Sequence, residues 1–319
     1  MTVTTAPRDA LVGVVAESRA MRELLPLVLR LAETRSPVLL QGESGTGKDL
    51  VAHWLHYGGP RREGPFIKVH CPSIPGELLE SELFGHEKGA FTDARHAKAG
   101  KIEMAAGGTL YFDQVQDLVP PLQAKLLRVI EERRFERVGG TRTLEVDVRF
   151  VASANVDLGE AVRARRFRED LFHRLNVVPL RLEPLRNRRE DVLPLAGAFL
   201  ARERERGTTA AAGFAPETAE VLKGYLWPGN VRELRSVVER CALLVASGAV
   251  PPTALPTQLV EQPSTLWAGR ERRPTLKDVE QAYIRWVLDA VGGSQTRAAA
   301  VLGISRKALW EKRRRYGIG

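Results

Sequence analysis

The amino-acid sequence predicts an α/β protein: a parallel sheet with helices on both faces, followed by a small all-α lid and a C-terminal all-α domain. Between residues 37 and 153, apolar runs of strand length alternate with helical apolar spacing, which is typical of a parallel sheet flanked by helices. From residue 190 to about residue 250 the spacing is helical only, and we expect no strand after Pro184. Residues 274–319 contain three further helical stretches.

A glycine-rich turn lies between the first predicted strand and the helix that follows it. Residues 41–48 read QGESGTGK, after an apolar run at 37–40 and before helical spacing at 49–56. This is the context of a P-loop, because backbone N–H groups of the turn and the helix N-terminus bind phosphates. The alternative, a turn that binds nothing, is disfavoured by the correct spacing of the glycines and of Lys48, which would reach the outer phosphates. The expected nucleotide-binding residues are Gly42, Glu43, Ser44, Gly45, Thr46, Gly47, Lys48 and Asp49, with Val12 and Gly13 in the preceding segment.

A carboxylate follows a second apolar strand. Residues 107–112 read GGTLYF and are followed by Asp113, which is the pattern of a Walker B strand. A parallel strand of this kind places its acid at the carboxyl edge of the sheet, near the phosphates, where it can bind Mg²⁺. Asp49 stands where a metal-binding Ser or Thr is usual. We therefore expect Asp113 to be the metal ligand, with ATP and Mg²⁺ as cofactors.

Further elements follow along the chain. We predict helices over 21–31, 76–84 and 122–132, strands over 65–69 and 148–153, and a loop over 85–94. Asn230, in the turn WPGN, is expected to cap the helix after it. Residues 251–274 contain five prolines and are interpreted as a linker.

The composition is that of an ordinary soluble protein. With 319 residues, 44% of them hydrophobic, the chain can bury a sizeable core. No apolar run approaches the roughly 18 residues of a membrane span, and residues 1–10 lack the apolar segment of a secretory signal, so we expect no membrane partner. Cys71 and Cys241 form neither a disulfide framework nor a metal-binding spacing, which favours a reduced, cytoplasmic setting.

Positive charge is concentrated in the C-terminal segment. The formal net charge is +9, and residues 274–319 contain nine Lys or Arg against four Asp or Glu, which favours a polyanionic partner. A short helix at 295–302, a glycine-containing turn and a basic helix that begins at a capping serine have helix-turn-helix geometry. The alternative is a basic helix that only faces solvent. The expected contacts to double-stranded DNA are Ser305, Arg306, Lys307, Arg313 and Arg314.

These motifs resemble the sigma-54-dependent transcriptional activators, the bacterial enhancer-binding subfamily of the AAA+ ATPases. The resemblance covers nearly the whole chain, and the C-terminal segment is similar to the Fis-type DNA-binding domain of that family. The matching stretches are GESGTGK at 42–48, ESELFGHEKGAFT at 80–92, FERVGGTR at 135–142, FREDL at 167–171 with Arg174, and WPGNVREL at 227–234.

The resemblance implies a domain order and an assembly. The implied segments are an N-terminal tail (1–10), an AAA+ α/β ATPase subdomain (11–183), an AAA+ helical lid (184–250), a linker (251–273) and a Fis-type helix-turn-helix domain (274–319). Dimers would assemble into a hexameric ring with ATP at the subunit boundaries. Arg168 and Arg174 would act as arginine fingers in the neighbouring subunit, Asn155 as sensor I and Arg232 as sensor II.

The resemblance also implies partners. The loop of Gly89, Ala90, Phe91, Thr92, Asp93 and Ala94 matches the loop that the family raises on ATP binding to grip sigma-54 and remodel the closed promoter complex. The implied partners are sigma-54 RNA polymerase, upstream double-stranded DNA sites and further copies of this chain. Only about ten residues precede Leu11, so we expect regulation by a separate, trans-acting protein, by expression level or by assembly, unless the sequence is a fragment of a longer chain.

Four positions depart from the family pattern. Gln114 replaces the Glu that activates the attacking water, and a carboxamide can orient a water but cannot accept its proton. His70 replaces the usual Asn partner of that Glu, Ala154 replaces a Thr, and Asp93 replaces a Gly in the sigma-54 loop. The expected catalytic residues are Lys48, Asp113, Gln114, Asn155, Arg168, Arg174 and Arg232. Two functions stay open: a working, slow ATPase that activates transcription, and an ATP-binding, hydrolysis-poor regulator or mixed-ring subunit.

Overall fold

The computed structural model describes residues 16–73, 76–92, 94–260, 275–291 and 294–318. They form two compact units, which divide between Leu255 and Pro256. Three predicted site residues, Val12, Gly13 and Asp93, lie outside the described residues.

The first unit begins with alternating helices and strands. These are α1 (Arg19–Ala32), β1 (Val38–Gln41), α2 (Lys48–Tyr57), β2 (Phe66–His70), α3 (Gly76–Phe84), β3 (Gly85–His86), β4 (Lys98–Ala99), α4 (Lys101–Met104), β5 (Thr109–Asp113), α5 (Pro120–Glu132), β6 (Arg134–Glu136), β7 (Thr143–Glu145), β8 (Arg149–Ala154), α6 (Leu158–Arg163), α7 (Glu169–Leu175) and β9 (Val178–Arg181). Five strands form one parallel sheet in the order β2-β5-β8-β1-β9, which confirms the predicted fold class. Two small antiparallel pairs, β3–β4 and β6–β7, were not expected.

Both faces of this sheet are covered by helices. Side chains alternate along each strand, so in β5 Leu110 and Phe112 pack with α3, α5 and α7, while Tyr111 packs on the opposite face with α1 and α2. All six residues of β8 are buried. Burial on both faces explains why these strands have nearly continuous apolar sequences.

The remainder of the first unit is mainly helical. It contains α8 (Val192–Glu205), β10 (Ala210–Phe214), α9 (Pro216–Gly224), α10 (Asn230–Leu244) and β11 (Ser247–Val250). β10 and β11 pair in parallel, so the expectation that no strand follows Pro184 is wrong. Their sequences, AAAGF and SGAV, are short and poor in β-branched and aromatic residues, so they carry little strand signal.

Asn230 does not cap α10, contrary to the prediction. It is the first residue of the helix, fully buried, and its amide bonds to segments distant in the chain rather than to the first turn. The N–H of Gly229, which precedes the helix, instead donates to Glu233 Oε2 at 2.8 Å. A buried amide needs partners, and here tertiary contacts supply them.

Within the described residues of the second unit, all the regular elements are helices. It contains α11 (Thr257–Val260), α12 (Leu276–Ala290), α13 (Gln295–Val301) and α14 (Arg306–Tyr316). Ser305 caps α14 as predicted, since its hydroxyl accepts the Ala308 N–H at 3.1 Å. The core of α12, α13 and α14 consists of Ile284, Val287, Leu288, Ala298, Ala299 and Leu309. In the described part of the chain, no helix combines the length and the apolarity needed to cross a bilayer.

Candidate active site

The predicted nucleotide-binding elements meet at the carboxyl edge of the parallel sheet. β1 leads into the P-loop, β5 ends at Asp113, β8 is followed by Asn155, and His70 at the end of β2 lies opposite Asp113 in register. They surround a cavity of about 800 Å³. The predicted residues that line it are Ser44, Gly45, Thr46, Gly47, Lys48, Asp49, Asp113, Gln114, Asn155 and Arg232. This is the edge at which open α/β sheets bind ligands.

The P-loop forms a cradle at the N-terminus of α2. Lys48 is buried, and its Nζ donates to the carbonyl oxygens of Gly42 at 2.6 Å and Glu43 at 2.8 Å. Burial lowers the pKa of Lys48, a cost that an anionic ligand would offset. Gly47 has φ +108°, and a Cβ there would meet no atom within 4 Å, so space is open beside the backbone. This geometry fits a phosphate chain.

Asp113 is contacted by three side chains. Ser153 Oγ donates to its Oδ1 at 2.9 Å, and its Oδ2 lies 3.0 Å from both Lys68 Nζ and His70 Nδ1. Burial alone would raise the pKa of Asp113, but the hydrogen bonds from Lys68, Ser153 and His70 lower it. The carboxyl group is therefore ionised at neutral pH and able to bind a cation.

Lys68 is a site residue that the sequence reading missed. Its Nζ lies 2.7 Å from Asp49 Oδ2, and the Tyr111 hydroxyl donates to the other oxygen of Asp49 at 2.8 Å. Burial would lower the pKa of Lys68, but the bonds to Asp49 and Asp113 raise it. Lys68 shares a face of β2 with His70, two residues along the strand, and this spacing could have indicated it.

Gln114 and Asn155 are hydrogen-bonded to each other. Asn155 Nδ2 donates to Gln114 Oε1 at 3.2 Å, and Gln116 Nε2 donates to Asn155 Oδ1 at 2.7 Å. Gln114 itself has φ 62°, in the left-handed region, and its N–H donates to Ser153 Oγ at 3.2 Å. The Gln114 carboxamide is thus fixed beside Asp113 at the edge of the cavity.

Part of the cavity wall is apolar. It includes Met21, Trp54, Leu182, Leu195 and Phe199. Such a surface suits a planar, weakly polar group such as a nucleotide base. These residues could not be singled out in the sequence, because apolar side chains that line a cavity have the same pattern as those of the core.

The two predicted arginine fingers do not line this cavity. Arg168 forms a two-point contact with Asp170 at 3.0 and 2.7 Å. Arg174 Nε lies 3.8 Å from Glu131 Oε1. The side chains of the two arginines are 46% and 50% exposed, so both are available to another molecule.

The predicted sigma-54 loop is closed by backbone hydrogen bonds. The Gly89 N–H donates to the Ala94 carbonyl at 2.8 Å, and the Ala94 N–H donates to the Phe91 carbonyl at 3.0 Å. Phe91 and Thr92 are exposed, whereas Ala94 is buried. The ring of Phe91 packs edge-on against His86, with centroids 4.9 Å apart.

The α14 surface carries most of the predicted DNA contacts. Arg306, Lys307 and Arg314 are exposed. Arg313 is half-buried, and its Nε donates weakly to the Ile318 carbonyl at 3.4 Å. The sequence reading also missed Trp310, which is 53% exposed and has the Arg314 guanidinium 5.6 Å from its ring centroid.

One cavity is lined by the P-loop with Lys48, by Asp113 at the end of β5 and by Arg232 of α10. These features define the first unit as a P-loop NTPase of the AAA+ class. The family described as "Sigma-54 interaction domain" matches residues 14–181, "AAA+ ATPase lid domain" matches 186–270, and "Bacterial regulatory protein, Fis family" matches 275–316. The chain belongs to the sigma-54-dependent transcriptional regulators, with an AAA+ ATPase domain and a helix-turn-helix DNA-binding domain.

Relatives of known name support this assignment along the whole chain. The transcriptional regulatory protein ZraR of Klebsiella oxytoca is 45% identical over 311 residues, which cover 97% of this chain and 70% of ZraR. The regulatory protein AtoC of Escherichia coli K12 is 44% identical over 313 residues, covering 96% and 68%. The crystal structure of NtrX from Brucella abortus in complex with ATP is 35% identical with a TM-score of 0.73, covering 96% and 70%. The family expected from the sequence is therefore confirmed.

Proposed function

We propose that this chain is an ATP-dependent transcriptional activator that binds DNA upstream of promoters and remodels the sigma-54 RNA polymerase closed complex. The proposal depends on one observation: some of the charged groups expected to act on ATP line the cavity, and the two predicted arginine fingers lie outside it. Lys48, Asp113 and Arg232 line one cavity, whereas Arg168 and Arg174 lie exposed elsewhere. This division supports hydrolysis between neighbouring copies, in which dimers assemble into a hexameric ring and each subunit offers its arginines to the next.

ATP would bind with its phosphates on the P-loop N–H groups and Lys48, and with its base against the apolar wall. Asp113 is the residue that would hold Mg²⁺, since it ends β5 at the carboxyl edge of the sheet and lines the cavity together with the P-loop. The described residues contain no cluster of three or more acids, histidines or cysteines that could bind a metal. This fits Mg²⁺, which commonly binds one or two carboxylates together with phosphate oxygens. When bound, the ion would neutralise phosphate charge during transfer.

Gln114 would orient the water that attacks the terminal phosphate. Its carbonyl oxygen can accept a hydrogen bond from the water but cannot remove the proton, so we infer slow turnover. Arg168 and Arg174 of the adjacent copy would stabilise charge on the transferring phosphoryl group. The second candidate, a hydrolysis-poor ATP-binding regulator or mixed-ring subunit, is favoured by one observation: the Gln114 amide is already bonded to Asn155.

The exposed parts of the chain would act on DNA and polymerase. Arg306, Lys307 and Arg314 would contact DNA phosphates and bases, with Ser305 fixing the start of α14. The loop at 89–94, with Phe91 at its surface, would contact sigma-54. We infer that a regulator of this kind acts in the cytoplasm.

A phosphate-release assay over a range of protein concentrations, with and without sigma-54, tests the proposal. Specific activity should rise with concentration as rings form. Gln114→Glu should raise turnover by roughly 10²-fold or more, the usual contribution of a general base. Gln114→Leu is the control: it removes the carboxamide that bonds to Asn155 without adding a base, and it should give no gain. The wild-type protein could instead retain ATP stoichiometrically without releasing phosphate, and Gln114→Glu could show no gain in turnover. Together these results would reject the ATPase proposal and leave the hydrolysis-poor regulator.

A further inference from the structure

We propose that Asn230 is a positioning residue for nucleotide sensing: it holds the first turn of α10 against the P-loop and thereby places Arg232 at the phosphates. This inference rests on the proposed function, because it takes Arg232 as the nucleotide-contacting arginine of the lid. Asn230 is fully buried, and an amide in that position must find both donor and acceptor partners.

The Asn230 amide connects three segments of the chain. Its Nδ2 donates to the Ser44 carbonyl at 3.0 Å and to Glu43 Oε2 at 3.2 Å, both in the P-loop. Its Oδ1 accepts the Leu185 N–H at 2.8 Å, in the segment after β9. A carboxylate could not replace it, because it has no proton to donate to the Ser44 carbonyl and would face the charge of Glu43.

The Glu43 carboxylate is held in place by Arg186. The two side chains form two hydrogen bonds, one of them from Arg186 Nη1 to Glu43 Oε2 at 2.7 Å. This hydrogen bond, more than any other contact, lowers the pKa of Glu43, so the carboxylate stays ionised and accepts the Asn230 N–H. The polar partners of Asn230 are therefore themselves held in position.

The residues around Asn230 continue the contact with the P-loop. The Val231 N–H donates to the Gly45 carbonyl at 3.0 Å, and Arg232 Nη1 donates to Ser44 Oγ at 3.0 Å. A Cβ on Gly45 would lie 2.3 Å from the Gly229 carbonyl oxygen. The start of α10 thus lies directly on the P-loop backbone, and any P-loop movement on phosphate binding must be transmitted to Arg232.

The backbone of Asn230 determines which variant isolates the side chain. Its φ is 54°, a left-handed conformation that Asn tolerates and Gly adopts freely. Asn230→Gly therefore removes the amide without adding backbone strain, which Asn230→Ala would introduce. Asn187→Gly is the matched control, since Asn187 is exposed and its side-chain amide donates to Glu183, outside the P-loop.

The test is a double-mutant cycle on the full chain, with ATP affinity measured by calorimetry. Asn230→Gly should weaken ATP binding roughly tenfold, Arg232→Ala at least as much, and Asn187→Gly not at all. Because Asn230 acts through Arg232, the double variant should bind no more weakly than Arg232→Ala alone. Thermal unfolding without nucleotide shows that each variant folds. If Asn230→Gly does not fold, Asn230→Ser, which adds no buried charge, replaces it in the same cycle.

Two results would overturn the inference. If the losses from Asn230→Gly and Arg232→Ala multiply in the double variant, Asn230 acts independently of Arg232 and is a structural residue. If Arg232→Ala weakens binding while Asn230→Gly does not, Asn230 has no positioning role, although the proposed function stands. Unchanged affinity in Arg232→Ala would instead remove both the inference and the assignment of Arg232 on which it rests.

Discussion

Replacing Arg149 with Met is expected to destabilise the first unit severely. Arg149 begins β8 and is 3% exposed, yet its guanidinium donates to three backbone carbonyls. Nη1 donates to Ala32 O at 2.9 Å and Leu55 O at 2.7 Å, and Nη2 donates to Leu31 O at 2.6 Å. These carbonyls lie in the last turns of α1 and α2, where helices lack internal partners. One side chain therefore satisfies the ends of two helices.

The magnitude follows from the groups left unpaired. The Leu31 carbonyl still accepts from the Thr34 N–H at 3.0 Å and from Thr34 Oγ1 at 2.9 Å, so the two carbonyls that lose their described donor are those of Ala32 and Leu55. Each of these costs about 1–3 kcal/mol, while Met recovers part of the apolar packing. Removing the buried guanidinium offsets part of this loss of stability, because a buried cation is itself costly: burial lowers the pKa of Arg149 to about 10. We therefore expect the free energy of unfolding to fall by ~3–5 kcal/mol, a large fraction of the ~5–15 kcal/mol of a typical domain.

Urea unfolding followed by circular dichroism measures this loss. Arg22→Met is the matched control: Arg22 is 64% exposed and pairs with Glu17, so the same change should cost less than about 1 kcal/mol. Folded Arg149→Met at low temperature should keep its ATP affinity, since Arg149 is not among the residues that line the cavity. A loss of under about 1 kcal/mol in Arg149→Met would refute the reasoning.

Three further predictions concern the site and α14. Lys68→Met should lower the Mg²⁺ concentration needed for half-maximal ATP binding several-fold, because it removes a cation 3.0 Å from Asp113; an increased requirement would contradict this. Arg306→Ala should weaken binding to the DNA site and reduce the slope of log affinity against log salt concentration by about 1. Arg313 is half-buried, so Arg313→Ala should change this slope less. Equal slopes for the two variants in filter-binding assays would contradict the difference in burial. Ser305→Ala should lower the free energy of unfolding of the second unit by ~1 kcal/mol in denaturant titrations, and no change would remove the cap as a source of stability.

The parts of the fold set by local sequence were predictable. β1, β5 and β8 are buried on both faces, so their apolar runs stand out, and the P-loop needs glycines at fixed spacing. Ser305 caps α14 because its partner is three residues away. In each case the residues that decide the structure are neighbours in the chain.

Contacts between distant residues could not be predicted in this way. Lys68 reaches Asp49 and Asp113 only because β2 pairs with β5 and α2 lies above them. Asn230 has the sequence context of a helix cap, but burial offers it stronger partners 186 residues away, at Ser44. β10 and β11 are strands because they pair with each other, not because of their own composition.

The structure also separates two departures from the family pattern, at positions 70 and 114, where the family has an Asn and its partner Glu. His70 contacts Asp113, whereas Gln114 is bonded to Asn155, so the two side chains act on different neighbours. A Glu at position 114 could accept the same hydrogen bond from Asn155, since the accepting atom is an oxygen in both side chains. His70 would meanwhile keep its contact with Asp113. A carboxylate base can therefore be introduced at position 114 without a compensating change at position 70, which is why we expect the single variant Gln114→Glu to gain activity.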